Sequence, residues 1–265
     1  MPVTMLDMAT HRQDKRRLKL RAHAAQRRRR ECLYCRSTTN EFLGEEHIVP
    51  TALGNREKVL PPGVVCRPCN NGPLATLDQH LCDFMPIALM RVQLDVRGRD
   101  KKPPIARCTN AHVSRDANDH IFIDCRTDKP ALRPHSDHPG QHRLDLYGRR
   151  MTPRYTRDLV RALYKIMLGF VWLGESRQLA MSDRFDDARA MILGQRTFSG
   201  YLAMLRETQP RPDAHFTYQQ LEVDGLPTVA ICADLYGVNL FTDLDVRRTR
   251  DSSAIPADTI SLMTF

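Results

Sequence analysis

Two Cys-x-x-Cys pairs, Cys32 with Cys35 and Cys66 with Cys69, constrain this chain more than any other feature. Each pair can wrap two thiolates around one ion, and the two together complete a tetrahedral zinc site. Residues 36 to 65 lie between the pairs, a longer separation than a compact zinc ribbon has, so the insert must itself be folded. A closed four-cysteine set leaves no position for substrate. The expected zinc is therefore structural, a staple for a module too small to bury a core of its own. Cys82, Cys108, Cys125 and Cys232 show no paired spacing and read as small buried hydrophobes. No run approaches the roughly 18 apolar residues of a membrane span, and the first residues lack the pattern of a secretory signal. A cytoplasmic chain with reduced cysteines is the expectation.

Charge is concentrated in one place. The net charge of +9 is carried by residues 11–30, where ten basic residues stand against Asp14 alone; the rest of the chain balances thirty basic against thirty acidic residues. A dense basic block favours a polyanion, and nucleic acid is the commonest one in a cell. Arg16, Arg17, Lys19, Arg27, Arg28, Arg29 and Arg30 are the candidate nucleic-acid contacts. The alternatives are a solvated helix face or an anionic membrane surface.

The periodicities predict an α+β chain in three parts: a basic arm or helix over 1–31, a zinc-stapled module over 32–85, and an α+β accessory domain over 86–265. Within the module, Glu41 to Val49 reads as a strand ended near Pro50, and Leu74 to Met85 as a helix with Leu74, Leu77 and Leu81 on one face. Beyond it, residues 87–97, 104–109, 120–126 and 143–147 read as strands. Residues 154–174 give the strongest helical pattern, and 185–193 a second helix. Strands are expected over 215–224, 227–235 and 238–242, the first two joined at Asp224-Gly225.

The insert contains Glu45-Glu46-His47-Ile48-Val49-Pro50, and Asn70-Asn71-Gly72 follows the second cysteine pair directly. In the order knuckle, acidic-His, Gly-rich loop, knuckle, Asn and helix, residues 32–81 resemble the HNH endonuclease family, in particular its branch with EHIxP and CxxCN motifs. The resemblance implies a ββα-metal fold, an acidic residue and the following His on the first strand, and a metal ligand carried by the helix. By position, Glu46 corresponds to a ligand of the catalytic cation, His47 to the general base, and Asn70 to the last metal-site position. A regular strand would point Glu46 and His47 to opposite faces, so the motif requires a bulge or strand end there.

The chemistry asks for these residue types. Phosphodiester hydrolysis needs an activated water, charge neutralisation on the phosphate and help for the leaving oxygen; one hard cation supplies the last two. Carboxylate and amide oxygens suit Mg²⁺ or Mn²⁺, and imidazole takes a proton near neutral pH. The function expected is a metal-dependent endonuclease acting on DNA, DNA being preferred to RNA because most of the family it resembles acts on DNA. A zinc-dependent nucleic-acid-binding protein that has lost cleavage, or a purely structural zinc scaffold, are the other readings. Glu45 competes with Glu46. Asn71, Asp78 and His80 stand behind Asn70, with Asp78 a candidate supporting partner. Asn55 is the sole asparagine in Thr51–Val65, where the family carries its middle Asn. Lys165 reads as the edge of the core. His135, His138 and His142 read as a solvated loop with some metal-binding character.

Overall fold

The structure, a computed structural model, describes residues 30–42, 44–116, 118–126, 131–196, 201–206, 214–223, 226–243 and 261–264. Of the basic arm only Arg30, which is exposed, falls within this range. Arg16, Arg17, Lys19, Arg27, Arg28 and Arg29 lie outside the described residues, as does the Asp224-Gly225 turn.

The fold is α+β. In the N-terminal module, β1 (Glu46–His47) pairs antiparallel with β2 (Val59–Leu60), and α1 (Ala75–Cys82) follows the second cysteine pair. The strand expected over 41–49 is thus cut to two residues: β2 offers only two partners, and upstream Phe42 instead bridges to Cys66. The helix expected over 74–85 also divides. Asp83 ends α1, Phe84 is extended, and α2 (Met85–Gln93) starts with Pro86 in its first turn. Proline suits a first turn because its missing N–H is unsatisfied there anyway.

The α2 segment corrects the strand expected over 87–97. Ile87, Ala88, Met90 and Val92 are all buried, so the segment reads as a continuous apolar run and not as a helical stripe. Pro86 and the run Ala-Leu-Met favour helix. Ala88 and Val92 pack on Ala106 and Val113 of an antiparallel sheet, β3 (Ile105–Arg107), β4 (Ala111–Arg115) and β5 (Ile121–Cys125). A small hairpin follows, β6 (Leu132–Pro134) with β7 (His142–Leu144).

The central element is α3 (Pro153–Phe170). Thr152 caps it by accepting from the Tyr155 N–H at 3.2 Å, and Pro153 opens its first turn. From Ala162 to Gly169 every residue is buried, so the helix is covered on all sides. The last helix is α4 (Asp186–Ile192). Strands β8 (Tyr201–Arg206), β9 (Ala214–Val223), β10 (Leu226–Leu235), β11 (Val238–Asp243) and β12 (Ser261–Thr264) form an antiparallel sheet in the order β12-β8-β11-β10-β9.

One cluster of buried side chains runs from Cys32, Tyr34, Ile48 and Leu60 of the module, through Leu159, Leu163 and Met167 of α3, to Ile231 and Leu240 of the sheet. Gly169 marks the closest approach. A Cβ placed there would lie 2.9 Å from Ile48 Cγ2, so glycine lets α3 settle against the residue next to His47. Among the described residues, no helix is long and apolar enough to cross a membrane.

Candidate functional site

The four cysteines converge: the sulfurs of Cys32, Cys35, Cys66 and Cys69 all lie within 4.8 Å of one another. A tetrahedral zinc with Zn–S near 2.3 Å asks for sulfurs about 3.8 Å apart, so the set fits one ion. Local backbone builds it. The Leu33 N–H donates to Val64 O at 2.9 Å, which brings the knuckles side by side, and the Cys66 N–H donates to Cys32 Sγ at 3.4 Å. Asn40 Nδ2 donates to Cys66 Sγ at 3.5 Å. Cys32 is pushed down to about 5, first by a hydrogen bond from Cys69, while burial pushes Cys35 up to about 11. The first knuckle is also held from far along the chain. Tyr34 Oη donates to Lys165 O at 3.0 Å, and buried Arg189 donates from Nε to Leu33 O at 2.8 Å.

A cleft of about 860 Å³ opens beside the module, and Glu46, His47, Asn70 and Asp78 line it. β1 stops after His47, the strand end that the motif requires. Asn70 leaves the helical turn Arg67–Cys69 and enters a widened turn, Asn70–Leu74. Gly72 there adopts φ −106°, ψ −107° before Pro73, and this break separates Asn70 from the axis of α1.

Lys165 is the residue that sequence reasoning underrated. It is fully buried, with Nζ 2.9 Å from Glu46 Oε1, 3.0 Å from both oxygens of Asp78 and 2.9 Å from His47 O. Burial alone would lower its pKa, but Asp78 and Glu46 outweigh it and hold the ammonium above its ordinary value. Burial pushes Asp78 up to about 6, against the pull of Lys165. At neutral pH one ammonium therefore faces two carboxylates, leaving about one negative charge at the cleft. The signal was present in the sequence: a lysine in the run Ala162 to Gly169, whose other members are apolar except for the Tyr164 hydroxyl.

The donor set fits a hard divalent cation in its chemistry. It offers carboxylate and amide oxygens with residual negative charge, and magnesium is commonly held by one or two carboxylates while keeping several waters. Glu46 and Asn70 would hold the ion. Among the described residues, the cysteines are the one group of three or more His, Cys, Asp or Glu ligand atoms drawn this close.

His47 is partly buried and its pKa is lowered, first by burial and then by the guanidinium of Arg99. Its imidazole is thus neutral at pH 7 and able to accept a proton. Glu45 and Asn71 are exposed and do not line the cleft. His80 Nδ1 lies 3.4 Å from Asp158 Oδ2, away from the cleft. Asn55 orders the loop between β1 and β2, donating to Val49 O at 3.2 Å and accepting from the Lys58 N–H at 3.1 Å. His135 and His138 lie with ring centroids 4.6 Å apart on the β6–β7 hairpin; His135 is half-buried, and His138 and His142 are exposed.

Cysteine cluster and cleft belong to one recognisable segment. Residues 32–84 match the HNH endonuclease family. The HNH segment therefore carries a nuclease-type module, whose family implies a nucleic-acid substrate. The four cysteines and the elements from β1 to α1 all fall inside it. No curated protein and no solved structure matches the chain.

Proposed function

We propose that the chain is a metal-dependent endonuclease that hydrolyses phosphodiester bonds in DNA, with residues 32–85 as its catalytic module and 86–265 as an accessory domain. The reading rests on one observation above the others: His47, Glu46 and Asn70 line a single cleft next to the cysteine cluster. His47 accepts the proton of the attacking water, a role its lowered pKa favours. A divalent cation, Mg²⁺ or Mn²⁺, held by Glu46 and Asn70, would supply charge neutralisation on the phosphate and stabilise the leaving oxygen. Asp78 and Lys165 fix the orientation of Glu46 and the main chain at His47. One structural zinc in the cysteine cluster holds β1 and the Asn70 turn in register. The basic arm, with Arg16, Arg17, Lys19 and Arg27 to Arg30, adds sequence-independent attraction to phosphate.

A second reading has one observation in its favour. Lys165 engages Glu46 Oε1 and both oxygens of Asp78, as in a module that binds nucleic acid and no longer cleaves it. Plasmid and single-stranded DNA incubated with Mg²⁺, Mn²⁺ or EDTA separate the two. Cation-dependent cleavage that is lost in His47→Ala supports the nuclease; binding without cleavage under every condition selects the second reading.

A further inference from the structure

The HNH match ends at residue 84, yet the cleft does not. Arg91 of α2, Arg99 and Lys102 of the segment leading into β3, and Arg107 of β3 line the same cleft as His47 and Asn70. We propose that this second part of the cleft, formed by Arg99, Lys102 and Arg107 with Arg91 behind them, grips the phosphodiester backbone of the nucleic acid.

Three observations carry the proposal. First, these cations are left open. Among the described residues no carboxylate lies within ion-pair distance of Arg91, Arg99 or Arg107, whereas nearby Arg97 and Arg115 pair with Asp95 at 2.8 Å and Asp119 at 2.6 Å. Lys102 has only Asp100, 3.7 Å away with both side chains mostly exposed, a contact worth little against a bound phosphate. Second, Arg91 Nε is buried without a hydrogen-bond partner. An orphaned buried donor is costly, and no competing acceptor at that atom holds this guanidinium, which lines the cleft wall. Third, the backbone presents the cations. In β3 the alternation turns Ala106 inward onto α2 and leaves Ile105 and Arg107 outward, both lining the cleft. Pro103 and Pro104 stiffen the approach to that strand. Asp83 and Asp100 also line the cleft. Lys165 offsets one of the two charges of Glu46 and Asp78, and the open cations lie away from that triad's carboxylates in sequence, beyond residue 90. Phosphate is the ligand because it matches unpaired guanidinium forks, and a polymer is required because the cations are spread along the chain from α2 to β3.

The proposal rests on a nucleic-acid substrate and not on cleavage, so it is tested with EDTA present. The full chain and a triple variant, Arg99→Gln, Lys102→Gln and Arg107→Gln, are titrated by fluorescence anisotropy against labelled DNA and RNA duplexes of one sequence across a salt series. All three positions are exposed, and matched melting temperatures establish that the variant is folded. Each lost phosphate contact lowers the slope of log affinity against log salt by about 0.9 on duplex DNA, so a loss of about two to three units is expected on the preferred duplex. Arg133→Gln with Arg143→Gln, on the β6–β7 hairpin, should leave the slope in place. An unchanged slope for the triple variant on both duplexes, or an equal loss in the hairpin variant, overturns the proposal. A reduced slope in a protein that fails to cleave DNA whichever divalent cation is supplied supports the grip while removing the nuclease reading.

Discussion

Lys165 Nζ lies 2.9 Å from Glu46 Oε1, so the acidic residue of the HNH motif is charge-paired by a helix outside the matched segment. The pair is buried on both sides and closes a triad with Asp78. Removing one partner of such a set strands the others without solvation.

Lys165→Met is accordingly expected to destabilise the protein by about 3–5 kcal/mol. Lys165→Met combined with Glu46→Gln and Asp78→Asn, which leaves no unpaired charge, should recover much of that stability. Urea unfolding of the two variants makes the comparison. Equal destabilisation in both would mean that Lys165 acts by packing and not by charge.

The acid limb of kcat/KM should fall below pH 6.5. Burial, and next Arg99, lower the His47 pKa, so the neutral base persists to lower pH than an ordinary histidine and activity is lost only as pH drops through the lowered value. Arg99→Gln should move that limb upward, toward 6.5. Weaker binding in the same variant depresses the whole profile without shifting its midpoint, so the two effects separate. A limb that stays put in Arg99→Gln argues against His47 as the titrating base.

Cys66→Ser should reduce zinc from one ion per chain to well below one, measured by metal analysis after dialysis. Zinc binding stabilises modules of this kind by several kcal/mol, so the melting temperature should fall with it. Mn²⁺ should not restore stability, because thiolates prefer the softer ion. Full zinc occupancy in the variant would mean that the four sulfurs are not its ligands.

Gly169→Ala sets two effects against each other. Alanine is better than glycine inside a helix by about 0.8–1 kcal/mol. Here its Cβ would meet Ile48 Cγ2 at 2.9 Å and Cγ1 at 3.0 Å, in a core with no exposed side to yield. Overpacking of this kind costs about 1–3 kcal/mol, so net destabilisation is expected. The loss should shrink in an Ile48→Ala background, where both Cγ atoms are gone. Thermal unfolding of the single and double variants checks it.

The site was legible where chemistry fixes spacing. Two cysteine pairs can surround one ion only if the insert folds back, and the Glu46-His47 and Asn70 motifs lie where that return puts them. The long helix was legible too, because Thr152, Pro153 and the apolar run after Tyr155 all agree. The segment 87–97 was not, since the unbroken apolar run Ile87 to Met90 shows no stripe that separates helix from strand. Lys165 was legible only as the edge of the core, and Arg189 not at all, for a related reason. Their partners, Glu46, Asp78 and the carbonyls of His47 and Leu33, are distant in sequence, and nothing local in α3 or α4 marks which buried cation will meet them.

That distance also sets an order of events during synthesis. Lys165 follows His47 by 118 residues, so at about 5–20 residues per second its arrival lags by roughly 6–24 s. Once Cys69 has been made the emerging chain has all four cysteines and can load a metal, while Glu46 and, after it, Asp78 still lack their counter-charge. An early fragment would thus be zinc-competent and catalytically unset. On the proposed nuclease reading, the helix that carries Lys165 acts as a timer, completing the buried charge triad only after that helix has been made.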